Sequence, residues 1–239
     1  MNQYSKLSKN FNKSDLSVEK KLENFPNHVH RRDVAMFLNR YEIFKEILPI
    51  HGSIIECGVN LGAGLFSWLH FSSILEPYNA SRFIIGFDTF SGFKSLDKKK
   101  DKHGIYTDKK NFKEFTKRQS IKEIQDSIEI QNNTRPLNDL EKVSLVKGDA
   151  TKTIPEFIKK NPHTVVSLMH LDFDIYKPSK VAIEKFLPRM PKGSVIALDG
   201  TNCPEGPGEA IALLECLDIN KVQIKRNSFD SFLCYLLIE

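Results

Sequence analysis

Val165-Val166-Ser167-Leu168-Met169-His170-Leu171-Asp172-Phe173-Asp174 is an apolar run that closes on two aspartates. It is apolar along its length rather than at every second position. That pattern belongs to a strand covered on both faces, as in a parallel sheet packed between helices. Three other runs have the same shape: Ile54-Ile55-Glu56-Cys57-Gly58, Phe83-Ile84-Ile85-Gly86-Phe87-Asp88 and Val195-Ile196-Ala197-Leu198-Asp199. In an open parallel sheet the carboxyl ends of the strands border the ligand crevice. Carboxylates repeated at that place therefore point to a cofactor site beside a hard-cation site rather than to surface decoration.

Outward from these runs, strands alternate with helical patterns. Val34, Phe37, Leu38, Tyr41, Phe44 and Leu48 recur at three- and four-residue steps, which predicts a helix over 31–48 with those side chains on its buried face. Strands are expected at 53–56, 81–87, 143–147, 164–171 and 194–198. Helices are expected from the glycine turn to about 75, near 111–128, from Thr153 with Pro155 in the first turn, over 178–187 up to Pro188, and over 209–217. Residues 222–225 and 232–238 read as a closing antiparallel pair. The fold class is α/β, a doubly wound, mostly parallel, Rossmann-like sheet with one antiparallel strand near the edge. Residues 31–239 form one domain with a lysine-rich insertion at about 94–141. Residues 1–30 are a polar N-terminal arm, disordered or carrying a loosely docked helix.

The chain has 239 residues, 40% hydrophobic and 10% aromatic, enough for a substantial single core. No apolar run reaches the roughly 18 residues of a membrane span, and the N-terminus lacks the apolar segment of a signal peptide. A cytoplasmic protein with no membrane partner is expected. The four cysteines, Cys57, Cys203, Cys216 and Cys234, form no Cys-x-x-Cys pair, so zinc and redox motifs are unsupported. The formal charge is +5, but residues 94–118 alone carry ten Lys/Arg against four Asp/Glu. One stretch therefore holds the excess. It reads as a solvated loop or as a flap over an anionic substrate; no recognition module accompanies it, which argues against nucleic acid.

The first turn, Glu56-Cys57-Gly58-Val59-Asn60-Leu61-Gly62-Ala63-Gly64, comes after a strand and opens a helix. Its glycines allow close approach of backbone to a ligand, or simply a tight turn. Its spacing departs from the dinucleotide fingerprint, and no Gly-Lys-Ser/Thr stands beyond it, so it is not a P-loop. Asp88 stands where a carboxylate accepts from both ribose hydroxyls, or caps the segment beyond it. Asp149, after Gly148, either accepts from an adenine amine or caps the helix at Thr153. Asp172 and Asp174 lie two apart and would share a face if the strand continued. With Asp199 on the next strand they form a set of hard oxygen donors that favours Mg²⁺ or Ca²⁺ over zinc. The alternative is caps and salt bridges to Lys177, Lys180 or Lys192. His170 reads as a core histidine. The segment 202–209, rich in Pro, Gly and Glu, reads as a rim loop.

At these residues the chain resembles the macrocin O-methyltransferase family of metal-dependent sugar O-methyltransferases. The resemblance rests on Glu56-Cys57-Gly58-Val59, Gly86-Phe87-Asp88-Thr89-Phe90-x-Gly92-Phe93, Gly148-Asp149-Ala150, Leu171-Asp172-x-Asp174-x-Tyr176 and Leu198-Asp199, and covers residues 50–215. It implies a class I methyltransferase using S-adenosylmethionine, with Mg²⁺ or another divalent cation. By position, Glu56, Cys57, Gly58, Val59 and Gly62 would line the cofactor. Asp88, Thr89 and Phe90 would lie on its ribose side, Gly148, Asp149 and Ala150 on its adenine side, with Asp172 nearby. Asp174 and Asp199 would bind metal, and Asp174 is the candidate base. Gly200 departs from the family, which often places a second acid there; water, Asp172, Glu205 or Glu209 would then supply the missing ligand. Asn60-Leu61 stands where the family favours an aromatic residue and an arginine.

The resulting expectation is methylation of a sugar hydroxyl, nucleotide-linked or glycosidic, on a small acceptor that the lysines would suit if it is anionic. The family's self-association implies a homo-oligomer as an available state. The competing readings are an Asp-x-Asp glycosyltransferase and a non-catalytic methyltransferase-like binding subunit.

Overall fold

The computed structural model describes residues 3–101, 121–229 and 232–239. Seven strands form one sheet: β1 (Ser53–Cys57), β2 (Ile84–Asp88), β3 (Val143–Lys147), β4 (Val166–Leu171), β5 (Val195–Asp199), β6 (Lys225–Arg226) and β7 (Leu233–Leu237). Their spatial order is β3-β2-β1-β4-β5-β7-β6. The first five in that order are parallel, and β7 runs antiparallel to both of its neighbours. The expected fold class is thus observed, including the antiparallel strand near the edge. The strand order reverses between β1 and β4, the switch point at which open sheets bind ligands.

Alternation along the strands divides the core in two. Ile55, Cys57, Met169, Leu171, Ile196 and Leu198 face one side, against α6 (Ala150–Lys160), α7 (Tyr176–Phe186) and α8 (Gly208–Cys216). Ile54, Leu168, Val195 and Ala197 face the other, against α3 (Arg31–Ile47), α4 (Ala63–Leu75) and α5 (Ile121–Asn132). Each fully buried Ile, Leu or Phe there contributes on the order of 1.5–3 kcal/mol.

Arg82 ties the amino-terminal edge of this sheet together. It is 2% exposed and donates to Glu76, Ser167 and the carbonyls of Ile47, Ile50 and Gly52. One guanidinium thereby satisfies backbone acceptors at the end of α3 and the start of β1.

Several expectations need correction. In α3 the buried residues are Asn39, Arg40, Ile43, Phe44 and Ile47, whereas Phe37, Leu38 and Leu48 are exposed. Polar Asn39 replaces an apolar residue on the inward face because it donates to the carbonyl of Leu233. The helix after β3 begins at Ala150, not Thr153, and Pro155 lies inside it. Asp149 supplies the cap, earlier than the proline suggested. Of the two readings of the arm the helical one is observed: α1 (Gln3–Lys13) and α2 (Val18–Glu23) precede α3, and the Tyr4 hydroxyl donates to Asp33. Most of the lysine-rich insertion, and the first part of the helix expected near 111–128, lie outside the described residues. Among the described residues no helix is long and apolar enough to cross a membrane.

Candidate active site

The carboxyl ends of β1 to β5 open onto one cavity of about 520 Å³. Its wall is built from Glu56, Gly58 and Val59 at the end of β1, Asp88, Thr89 and Phe90 at the end of β2, and Gly148, Asp149 and Ala150 after β3; Asp172, Asp174 and Asp199 close it at the ends of β4 and β5. Residues far apart in sequence meet here because the parallel strands all end on one side. Cys57 and Gly62 do not line the wall. Cys57 alternates into the core, where burial pushes its thiol well above the ordinary range. Gly62 is the N-cap of α4, at φ 93°.

Glu56 is 1% exposed and lies on the α4 side of the sheet. The register pairs it with His170 on β4. Its Oε2 accepts from the Trp68 indole at 2.7 Å and lies 2.8 Å from His170 Nδ1. His170 is therefore a core histidine that orients Glu56. A Cβ on Gly64 would lie 1.9 Å from Glu56 Oε1, so only glycine leaves room for that carboxylate under the first turn of α4. Gly58 is as constrained. At φ 102° its missing Cβ would stand 2.1 Å from the carbonyl oxygen of Asp172.

Asp88 braces the turn. One oxygen accepts the backbone N–H groups of Val59 and Asn60 at 2.9 and 2.8 Å, and the other accepts that of Phe90 at 2.8 Å. A carboxylate has about four acceptor positions, so one is left for a ligand hydroxyl. Asp149 does cap: it accepts from Thr151 N–H and hydroxyl and from Ser95. Burial opposes its ionisation, but the hydrogen bonds from Ser95 and Thr151 outweigh burial and hold its carboxyl below the usual value.

The strand ends at Leu171, so Asp172 and Asp174 do not share a strand face. They are brought to the cavity by the turn beyond it, in which Asp174 takes a left-handed φ of 63°. The register pairs Leu171 with Leu198, which sets Asp172 level with Asp199. Burial, then the charges of Asp199, Asp174 and Glu56, push the Asp172 carboxyl well above the usual range, with Arg40 opposing. Glu209, in the first turn of α8, is 2% exposed. Burial, then Asp172, Asp174 and Asp199, push it up as well. Hard oxygen donors thus gather here in kind. In spacing they do not: among the described residues no three acidic, histidine or cysteine side chains are placed to hold a metal ion.

The described start of the insertion is fastened beside the cavity. Phe93 and Lys94 line it. Asp101, 4% exposed, accepts the backbone N–H of Tyr176 at 2.9 Å and that of Asp97 at 2.7 Å. Lys100 pairs with Glu215 on α8.

Sequence reasoning did not single out Met36 or Arg40 of α3. Arg32, Met36 and Arg40 line the cavity at four-residue steps. The signal was present in that spacing, but the apolar pattern drew attention to the opposite face.

No family model matches the chain, and no curated protein matches it. Solved structures do. The chain is similar to CalS11, described as calicheamicin methyltransferase, at 27% identity and a TM-score of 0.90 over 98% of this chain and 90% of that one. An apo structure of CalS11, described as a TDP-rhamnose 3′-O-methyltransferase of calicheamicin biosynthesis, matches at 26% identity and a TM-score of 0.82, covering 98% and 92%. The fold, but not more, is shared with the O-methyltransferase NovP at 16% identity and a TM-score of 0.64 over 86% and 80%. By this likeness the chain is an O-methyltransferase. The expectation of an enzyme of this class therefore holds over the glycosyltransferase and non-catalytic alternatives.

Proposed function

We propose that this methyltransferase uses S-adenosylmethionine to methylate a hydroxyl of a sugar, nucleotide-linked or glycosidic. The observation that carries the reading is the succession of Asp149, Asp88 and Glu56 around one cavity, ending at Asp172, Asp174 and Asp199. Asp149 would face the adenine, Asp88 the ribose, and the turn after β1 the amino-acid end. The likeness to CalS11, whose description names a TDP-sugar, supports a sugar acceptor. Lys94 on the cavity wall supports an anionic one.

The donor supplies a methyl group already activated on a sulfonium. The protein has to hold an acceptor hydroxyl in line with it and take the proton. Asp174 sits at the acidic end of the cavity on a turn whose backbone is fixed in the left-handed region. A carboxylate there accepts the hydroxyl proton as the methyl group transfers. Asp172, held toward its protonated form first by burial and then by the acids beside it, is less suited to that role and serves as wall. A divalent cation, with Mg²⁺ the expected one, belongs to the same reading. Asp174 and Asp199 would hold it, and it would polarise the acceptor hydroxyl. The donors suit it in chemistry and not in spacing, so no step above depends on it. Membership of the macrocin family, a cytoplasmic location and self-association are further parts of this proposal.

A methyl-transfer screen against nucleotide-sugars and deoxysugar glycosides, with and without Mg²⁺, tests the reading. Product with a sugar supports it; transfer only to non-sugar acceptors contradicts it. Asp174→Asn is expected to retain S-adenosylhomocysteine binding and lose turnover, and normal turnover would remove Asp174 as the base.

A further inference from the structure

Helix α7 begins without a cap of its own. Its N-cap is Ile175, whose side chain accepts no hydrogen bond, and the first N–H groups of a helix have no partner inside it. Asp101 supplies what the local sequence omits. Its Oδ1 accepts the N–H of Tyr176, the first residue of α7, from 75 residues away in the chain. A carboxylate at that place also meets the positive end of the helix dipole. The seat is built for it: Asp101 is 4% exposed, and a Cβ on Gly208 would stand 2.1 Å from the same oxygen and 2.5 Å from the Tyr176 nitrogen. The other oxygen accepts the Asp97 N–H at 2.7 Å, and the Asp101 N–H returns to the Asp97 carbonyl, so the turn 97–101 aims the carboxylate. Lys100, next in the chain, lies 3.7 Å from the centre of the Tyr176 ring.

Asp174 stands two residues before Tyr176. Its left-handed φ of 63° is uncommon for a residue with a side chain and persists where the surroundings impose it. The start of its turn is held by the Asp172 N–H on the Cys57 carbonyl at 2.8 Å, and by Gly58, which leaves room for the Asp172 carbonyl oxygen. The far end is held by Asp101, which does not itself line the cavity. We infer that Asp101 is a positioning residue: it fixes the end of the turn and so holds Asp174 at the angle at which it takes the acceptor proton. This rests on the reading of Asp174 as the base.

Kinetics with the sugar that the screen yields, and hydrogen exchange of the protein bound to S-adenosylhomocysteine, test it together. In Asp101→Ala kcat is expected to fall about 100-fold, the order that misplacing a reacting group by about 1 Å costs, with KM for S-adenosylmethionine within about twofold. Amides of residues 172–177 are expected to exchange about tenfold faster. Asp101→Asn keeps an acceptor of the same shape, and asparagine caps as well as aspartate, so kcat should recover to within about threefold of wild type. Lys100→Met removes the neighbouring, partly exposed contact and should stay within about twofold. A loss in Lys100→Met equal to that in Asp101→Ala would show general loosening and overturn the assignment. Gly208→Ala pushes the carboxylate off Tyr176 with Asp101 still in place and should lower kcat to the same order; it serves if Asp101→Ala does not fold. Unchanged kcat or unchanged exchange in the folded variants overturns the positioning role and leaves Asp174 standing. Normal turnover in Asp174→Asn overturns base and positioning together. If wild type methylates no sugar, the proposed function falls and the exchange measurement alone decides whether Asp101 holds the turn.

Discussion

Asp88 Oδ2 accepts the backbone N–H of Val59 across 2.9 Å, joining the end of β2 to the turn after β1. The turn is thus shaped by the residue proposed to bind the ribose, and support and recognition are the same carboxylate. Asp88→Asn turns one acceptor into an N–H donor facing backbone N–H groups. The expected loss is about 2 kcal/mol, read as a melting temperature lower by roughly 4–8 °C. S-adenosylhomocysteine binding should weaken about tenfold or more. A variant with unchanged melting and binding would show that the bracing is dispensable.

Gly64 leaves room for Glu56, and that predicts a large effect from one methyl group. In Gly64→Ala the new Cβ would stand 1.9 Å from Oε1. The carboxylate would have to leave Trp68 or His170. Trp68 is the chain's one tryptophan, so the displacement is readable as a change in indole fluorescence. An emission spectrum identical to wild type, in a folded variant, contradicts the contact.

Arg82 is the side chain whose removal should cost most outside the cavity. Arg82→Met takes one donor away from Glu76 and from each of three backbone carbonyls. Breaking a buried charge pair of this kind costs about 3–5 kcal/mol. Chemical denaturation should show a lower midpoint at unchanged slope. A loss below about 1 kcal/mol would place the pair among weak surface bridges.

Lys142 gives a pH dependence with a definite sign. It is 6% exposed and donates to the carbonyl of Asn79, and burial holds its ammonium down to about 8 from 10.5. Between those values the unfolded chain keeps a proton that the folded protein has released. Stability therefore rises with pH across that window and is flat below it on this group's account. The stability of wild type minus that of Lys142→Met should climb by at most about 3 kcal/mol from pH 8 to 10.5. A difference that stays flat or falls contradicts the depressed value.

Much of the fold was legible because parallel strands are apolar on both faces and punctuated by glycine and acid. Ile54-Ile55-Glu56 and Leu198-Asp199 announce themselves locally. The cavity wall was legible for the same reason: once the strands are parallel, residues just past their ends must gather. The features that escaped depend on distant partners. Asn39 is buried because Leu233 offers it a carbonyl, and Arg82 because separate segments converge on it. Neither leaves a trace in periodicity. Arg40 escaped because a cation on a helix reads as solvated until a cavity is seen beside it. The end of the strand at Leu171 was legible, but whether Asp172 and Asp174 share a face was left open, because one more extended residue or two cannot be told from a turn in an unbroken run.

Calorimetric titration with S-adenosylhomocysteine tests the central claim, that acids at the strand ends frame a donor site. The prediction is one saturable site per chain, weakened in Asp88→Asn and retained in Asp174→Asn. No binding to folded wild-type protein at millimolar ligand would contradict it.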